Sequence, residues 1–191
     1  MLEGYSCNVF TKVEMLLGIP EYKVNLPGGV RASQNDLFVL ARTENNLISI
    51  MVEGKVTEPF GLLVSDWKVN MSNDKKVRLS YLCNLLGLNV NSIGSIRYQL
   101  LHRSALAIIT AKQFHCSVGL VLVHSFSNNN KSFEDYEAFL NIYGLRANVD
   151  EVVGPIVKWY SHLLGMGEWV VGNLKFPTGY NKELTLFVVD Y

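Results

Sequence analysis

The 191-residue chain has no excess of charge of either sign. Its 17 lysines and arginines are matched by 17 aspartates and glutamates. A strong, non-specific polyanion binder carries a basic excess, so only a local basic patch is allowed here. Cysteine is scarce: Cys7, Cys83 and Cys116 show no CxxC spacing, which suits small reduced core residues better than a disulfide framework. Long hydrophobic runs are missing too. VGLVLV (118–123) falls far short of the roughly 20 residues of a membrane span. No basic segment followed by an apolar one opens the chain, so a cytoplasmic protein with no membrane partner is expected. His102, His115, His124 and His162 lack the HxxxH spacing of zinc ligands. LPGGV (26–30) lacks the lysine of a phosphate-binding loop. There is no repeat, low-complexity segment or linker, and residues 1–191 read as a single domain.

What is present is a mixture of helical and strand-like segments. Val9, Val13, Leu16 and Leu17 share one helical face, and Gly18 with Pro20 ends the run, so a helix is expected over 8–18. Turn-rich LPGGVRASQN (26–35) leads into two apolar runs separated by TENN. A helix is expected over 75–86, stopped by Gly87, and another over 96–113. The run CSVGLVLVHSFS (116–127) reads as a central strand covered on both faces. Ser132 with Asp135 resembles a capping box before a helix over 133–143. The remainder suggests a helix near 150–164 and strands over 169–176 and 184–191. The class is α/β.

The informative stretch is DLFVLARTENNLISIMVEGK (36–55). If TENN makes the turn, opposed residues have numbers that sum to 89, and Asp36 faces Glu53. Leu37, Val39, Ala41, Ile48, Ile50 and Val52 then form a uniformly apolar second side, expected to face the core. Lys55 shares the side of the two carboxylates. Opposed like charges destabilise a sheet, and oxygen ligands so placed suit a hard divalent cation such as Mg²⁺. With a lysine adjacent, the combination fits metal-assisted phosphodiester hydrolysis. The alternative is a structural Glu–Lys pair at the hairpin rim. Other acid-x-Lys triplets, such as Glu21-Tyr22-Lys23 and Asp74-Lys75-Lys76, lack an acid facing them at a strand end.

Asp36 and, seventeen positions on, Glu53-Gly54-Lys55 resemble the PD-(D/E)XK, or restriction-endonuclease-like, nuclease superfamily. Within it, SQNDLFVLAR, VEGKVTEPFG, RYQLLHR and LVHSFS are similar to a bacterial and archaeal branch of uncharacterised proteins. The resemblance covers about residues 8–145. It implies a core of helix, three strands, helix and strand, a mixed sheet flanked by helices. A helical insertion and a C-terminal extension (146–191) would be added to that core. It further implies Mg (or Mn) held by Asp36, Glu53 and the Gly54 carbonyl, with Lys55 as catalytic lysine. Glu14 matches an extra acid of some members. Gln99 and Arg103 resemble the Gln-x-x-x-Tyr/Arg helix motif of the RecB-like exonucleases, the alternative being a solvated helix face. His124, at the end of the central strand, is a further accessory candidate. Nucleic acid is the implied partner, DNA ahead of RNA, with a homodimer allowed. One departure from the motif is Asn35, where a proline is usual. A nuclease-like domain that binds nucleic acid or a partner protein without turnover is the other functional expectation.

Overall fold

The computed structural model describes residues 10–126 and 132–146, and the backbone of 152–161, 168–171 and 182–190. A seven-stranded sheet forms the frame. Strand β1 (Glu14–Pro20) pairs antiparallel with β4 (Leu37–Arg42), which pairs antiparallel with β5 (Leu47–Lys55). The two-residue strands β2 (Lys23–Val24) and β3 (Ser33–Gln34) form a separate hairpin between β1 and β4. After β5 come α1 (Val64–Trp67), α2 (Asn73–Leu86) and α3 (Tyr98–Gln113). The chain then returns as β6 (Val118–Ser125), parallel to β5. A last helix, α4 (Phe133–Asn141), precedes β7 (Val152–Ser161), β8 (Glu168–Val171) and β9 (Lys182–Asp190). The sheet order is β1-β4-β5-β6-β9-β7-β8. This is a mixed α/β fold with a mixed sheet flanked by helices. Among the described residues, no helix is long and apolar enough to cross a membrane.

The β4–β5 register is Leu37↔Val52 through Arg42↔Leu47, every pair summing to 89 as expected. The face expected to be core is buried, but the opposite face is buried too and belongs to the larger core. Phe38 and Met51, on the side of Asp36 and Glu53, are fully buried in the larger cluster with Leu79, Leu82 and Leu101. Val39, Ala41, Ile48 and Ile50 form a smaller second cluster with Phe10, Val118 and Leu120. The reason is topological: parallel β5 and β6 require a crossover, and here α2 and α3 lie on the Phe38–Met51 side. Ala105, Ala107 and Ala111 let α3 pack closely, and Ser49 Oγ and Thr110 Oγ1 are hydrogen-bonded at 2.6 Å inside this core.

Two expected helices are strands. The 8–18 helix is replaced by β1, preceded by Lys12 in the left-handed region (φ 54°), which no helix could continue through. Pairing with β4 overrides a weak helical spacing that already contained Gly18. Pro20 sits at the end of an edge strand, where its missing N–H costs little. The helix near 150–164 is replaced by β7. Its Val, Ile, Trp and Tyr content favours a strand, and Pro155 falls where the β7–β9 register shifts. Part of the expected strand over 169–176 lies outside the described residues, as does Cys7. Helix α2 ends at Gly87 (φ 66°), as its C-cap glycine implied. Burial raises the thiol pKa of Cys83, opposed by Lys68, and pushes Cys116 up to about 11, in keeping with inert core thiols.

Candidate active site

Glu53 is the hub. It is 3% exposed, because β5 carries it beneath the first turns of the crossover helix. Oε1 accepts from Lys55 Nζ at 3.0 Å and from Gln99 Nε2; Oε2 accepts from Arg103 Nε at 2.6 Å. The spacing of Gln99 and Arg103 on α3 lets both side chains reach one carboxylate. They do not form a solvated helix face. Lys55 is 5% exposed, 4.0 Å from Glu58 Oε1, with its ammonium 5.1 Å from the centre of the Phe60 ring. Asp36 stands just before β4 and is exposed. Its Oδ2 accepts the Gly54 N–H at 2.8 Å, tying the two strand ends together.

Asp36, Lys55, Gln99 and Arg103 line one cavity of about 760 Å³, with Glu53 beneath. One wall is the loop between β2 and β3, held by Arg78. That guanidinium donates to the carbonyls of Leu26, Pro27, Gly29 and Arg31 at 2.9 to 3.4 Å. Gly28 (φ 81°) presses on α2 so closely that a Cβ there would lie 2.2 Å from the Asp74 carbonyl oxygen. The facing wall is the Glu58–Leu62 segment. Arg97 fixes it by donating to the Gly61 carbonyl at 2.9 Å while pairing with Asp135 of α4 at 2.8 Å.

Other candidates fall elsewhere. Glu14 lies on exposed β1 and pairs with Arg42 at 2.7 Å, at the end of β4 remote from Asp36. Its assignment as an accessory acid rested on the 8–18 helix and falls with it. His124 stands opposite Gly54 in β6, its ring centre 4.2 Å from that of Phe126. Asn35, in the place of the motif's proline, is buried and donates to Met51 Sδ at 2.8 Å.

Sequence reading missed Glu58 and His102. Glu58's Oε2 accepts the backbone N–H groups of Thr57 and Val56 at 3.1 and 3.3 Å. Its pKa is lowered by its own backbone N–H first, then by that of Thr57; weak burial opposes this, and Val56 and Lys55 add to it. The three-residue spacing from Lys55 was the available signal. His102 Nδ1 is hydrogen-bonded to Ser33 Oγ at 2.8 Å, pinning the cavity wall to α3. Burial first, then the charges of Arg103, Arg78 and Lys55, holds its pKa down to about 3. Above its ordinary value of 6.5, folded and unfolded chains both carry a neutral ring. As pH falls from there towards 3, the unfolded chain takes up a proton that the folded chain refuses. This group therefore makes stability fall as pH drops through that window. We expect His102→Gln to melt with a visibly shallower pH dependence between pH 6.5 and 4, read by thermal denaturation. Parallel curves would count against it.

Among the described residues no group of three or more His, Cys, Asp or Glu side chains could hold one ion. A metal here would rest on two carboxylates, backbone oxygen and water, the ligand set magnesium accepts. Of the candidate donors, Asp36 Oδ1 has no partner among the described residues, and Glu53 Oε2 accepts from Arg103 alone among them.

Fold and site together define a mixed α/β domain with a walled polar pocket at the ends of adjacent strands, built around a buried carboxylate–lysine–arginine cluster. The chain belongs to the family described as Domain of unknown function (DUF6946), which matches residues 1–173. No curated protein and no solved structure matches it.

Proposed function

We propose that this protein is a divalent-metal-dependent nuclease of the PD-(D/E)XK type, hydrolysing phosphodiester bonds of DNA or RNA. The observation that carries the reading is the convergence of Asp36, Lys55 and Gln99 on one pocket, with Glu53 beneath it. They come from the start of β4, the end of β5 and the crossover helix. The topology supports it as well. Strands β1, β4 and β5 form an antiparallel meander, and α3 leads to β6 parallel to β5. That agrees with the three strands, helix and strand of the superfamily's order, while the helix that opens that order is replaced here by β1.

Asp36, Glu53 and the Gly54 carbonyl would hold Mg²⁺ or Mn²⁺. When bound, such an ion supplies charge stabilisation at the phosphate. Lys55 keeps its ammonium at the cavity, fixed by Glu53 and the Phe60 ring, where little water screens it from developing charge on phosphate oxygens. Gln99 and Arg103 act through Glu53, holding its carboxylate in one orientation.

The same three donors on Glu53 favour a second reading, a nuclease-like domain that binds without turnover. Titration with Mn²⁺ followed by thermal melting and cleavage assays tests both. Saturation near 100 times the dissociation constant should raise the melting temperature by about 5–10 °C. Asp36→Ala should abolish both that gain and cleavage. A metal-independent melting curve, with no cleavage of single- or double-stranded DNA or of RNA, sinks the nuclease proposal. Metal binding without cleavage leaves the second reading.

A further inference from the structure

Phe126, the residue after β6, is 60% exposed. Its Cε2 and Asp36 Oδ2 each lie 3.6 Å from the position a Cβ on Gly54 would take. A largely bare phenyl ring and the exposed carboxylate thus flank the same glycine on the same side. His124 meets the ring, tilted by 35°, which leaves most of it facing solvent. On the loop wall stands Arg31, exposed and lining the same cavity as Asp36 and Lys55. The other lining cations are committed: Lys55 and Arg103 to Glu53, and Arg78 to four carbonyls. Arg31 has no side-chain partner among the described residues.

Depth decides what can use this pair. Lys55 and Glu53 are almost wholly withdrawn from the surface, so a phosphodiester meets them only by entering the walled cavity. Its size is that of a small-ligand pocket, enough for a few nucleotides and too little for two paired strands. A ring such as Phe126 can stack only on a base that is not already stacked within a duplex.

We infer that the site takes single-stranded nucleic acid, a free end or an unpaired stretch, with a base stacked on Phe126 and a backbone phosphate at Arg31. What happens to the strand at Lys55 rests on the nuclease reading; the binding itself does not. The test is fluorescence anisotropy of the full chain in EDTA. The probes are labelled eight-nucleotide single strands of DNA and of RNA, and a blunt hairpin duplex of matching composition. At least one single strand should bind tenfold or more tightly than the duplex, and the tighter of the two identifies the sugar. Phe126→Ala should weaken that binding about tenfold, a typical loss for one stacked base, while Phe126→Trp keeps it. Arg31→Glu should weaken it and flatten its salt dependence. All three variants should melt as the wild type does, since both positions are exposed. Duplex binding as tight as single-strand binding overturns the inference. So does the absence of binding to any probe, or wild-type affinity in both Phe126→Ala and Arg31→Glu. Cleavage of duplex without single-strand preference would sink this inference and leave the nuclease; single-strand binding without cleavage under Mn²⁺ would do the reverse.

Discussion

Glu53→Ala is expected to lower the unfolding free energy by about 3–5 kcal/mol, the usual cost of removing one partner from a buried ionic cluster. In a chain of this size that is a fall in melting temperature of roughly 6–20 °C. Lys55 and Arg103 both have side chains mostly withdrawn from water, and Glu53 is the carboxylate at hydrogen-bonding distance from both. Without it, two cations are left facing each other in a poorly screened site. Glu53→Gln, which keeps the shape and one carbonyl acceptor, should cost distinctly less. Asp36→Ala should cost no more than about 1 kcal/mol, the typical value of the exposed hydrogen bond to Gly54. Denaturant unfolding of the three variants reads the difference. Equal midpoints for Glu53→Ala and wild type would mean that the cluster is solvated and that its charges are not interdependent.

Lys55→Met should separate chemistry from architecture. The thioether chain retains an apolar stem of similar length and removes the ammonium that lies over Phe60, while Glu53 stays neutralised by Arg103 and held by Gln99. Cleavage in Mn²⁺ should fall by about 10²-fold or more, the scale of a lost electrostatic contact at a developing charge. The rise in melting temperature on adding Mn²⁺ should persist, because neither carboxylate has been touched. Wild-type turnover in Lys55→Met would remove the lysine from the chemistry. Loss of the metal response would instead make Lys55 part of the ion's binding site.

These residues differ in how readily the sequence disclosed them. Asp36, Glu53 and Lys55 were legible because the hairpin between them is short, its turn is polar and its alternation leaves one possible register. Gln99 and Arg103 were legible as neighbours on α3, although periodicity alone could not show that this polar stripe faces inward onto Glu53. That follows from which side of the sheet the crossover takes, a property of the whole chain. The same limit explains the choice of core face: both sides of β4–β5 are apolar, and only the placement of α2 and α3 makes the Phe38–Met51 side the larger core. Strand β1 was hidden because Val9, Val13, Leu16 and Leu17 satisfy a helical spacing, while its pairing partner begins seventeen residues beyond Pro20. Glu58, Arg31 and Phe126 lie outside regular elements, where no periodicity operates.

Arg78 has a consequence for how a ligand reaches the pocket. Its guanidinium satisfies four loop carbonyls at once, and Gly28 allows no gap between that loop and α2. The wall and the start of α2 therefore belong to one cooperative unit, which opens only by breaking several hydrogen bonds together. A guest finds the cavity already shaped and spends little conformational entropy ordering it. For the single strand inferred above, walls held in this way would select by fit to a preformed shape and would not close around whatever enters.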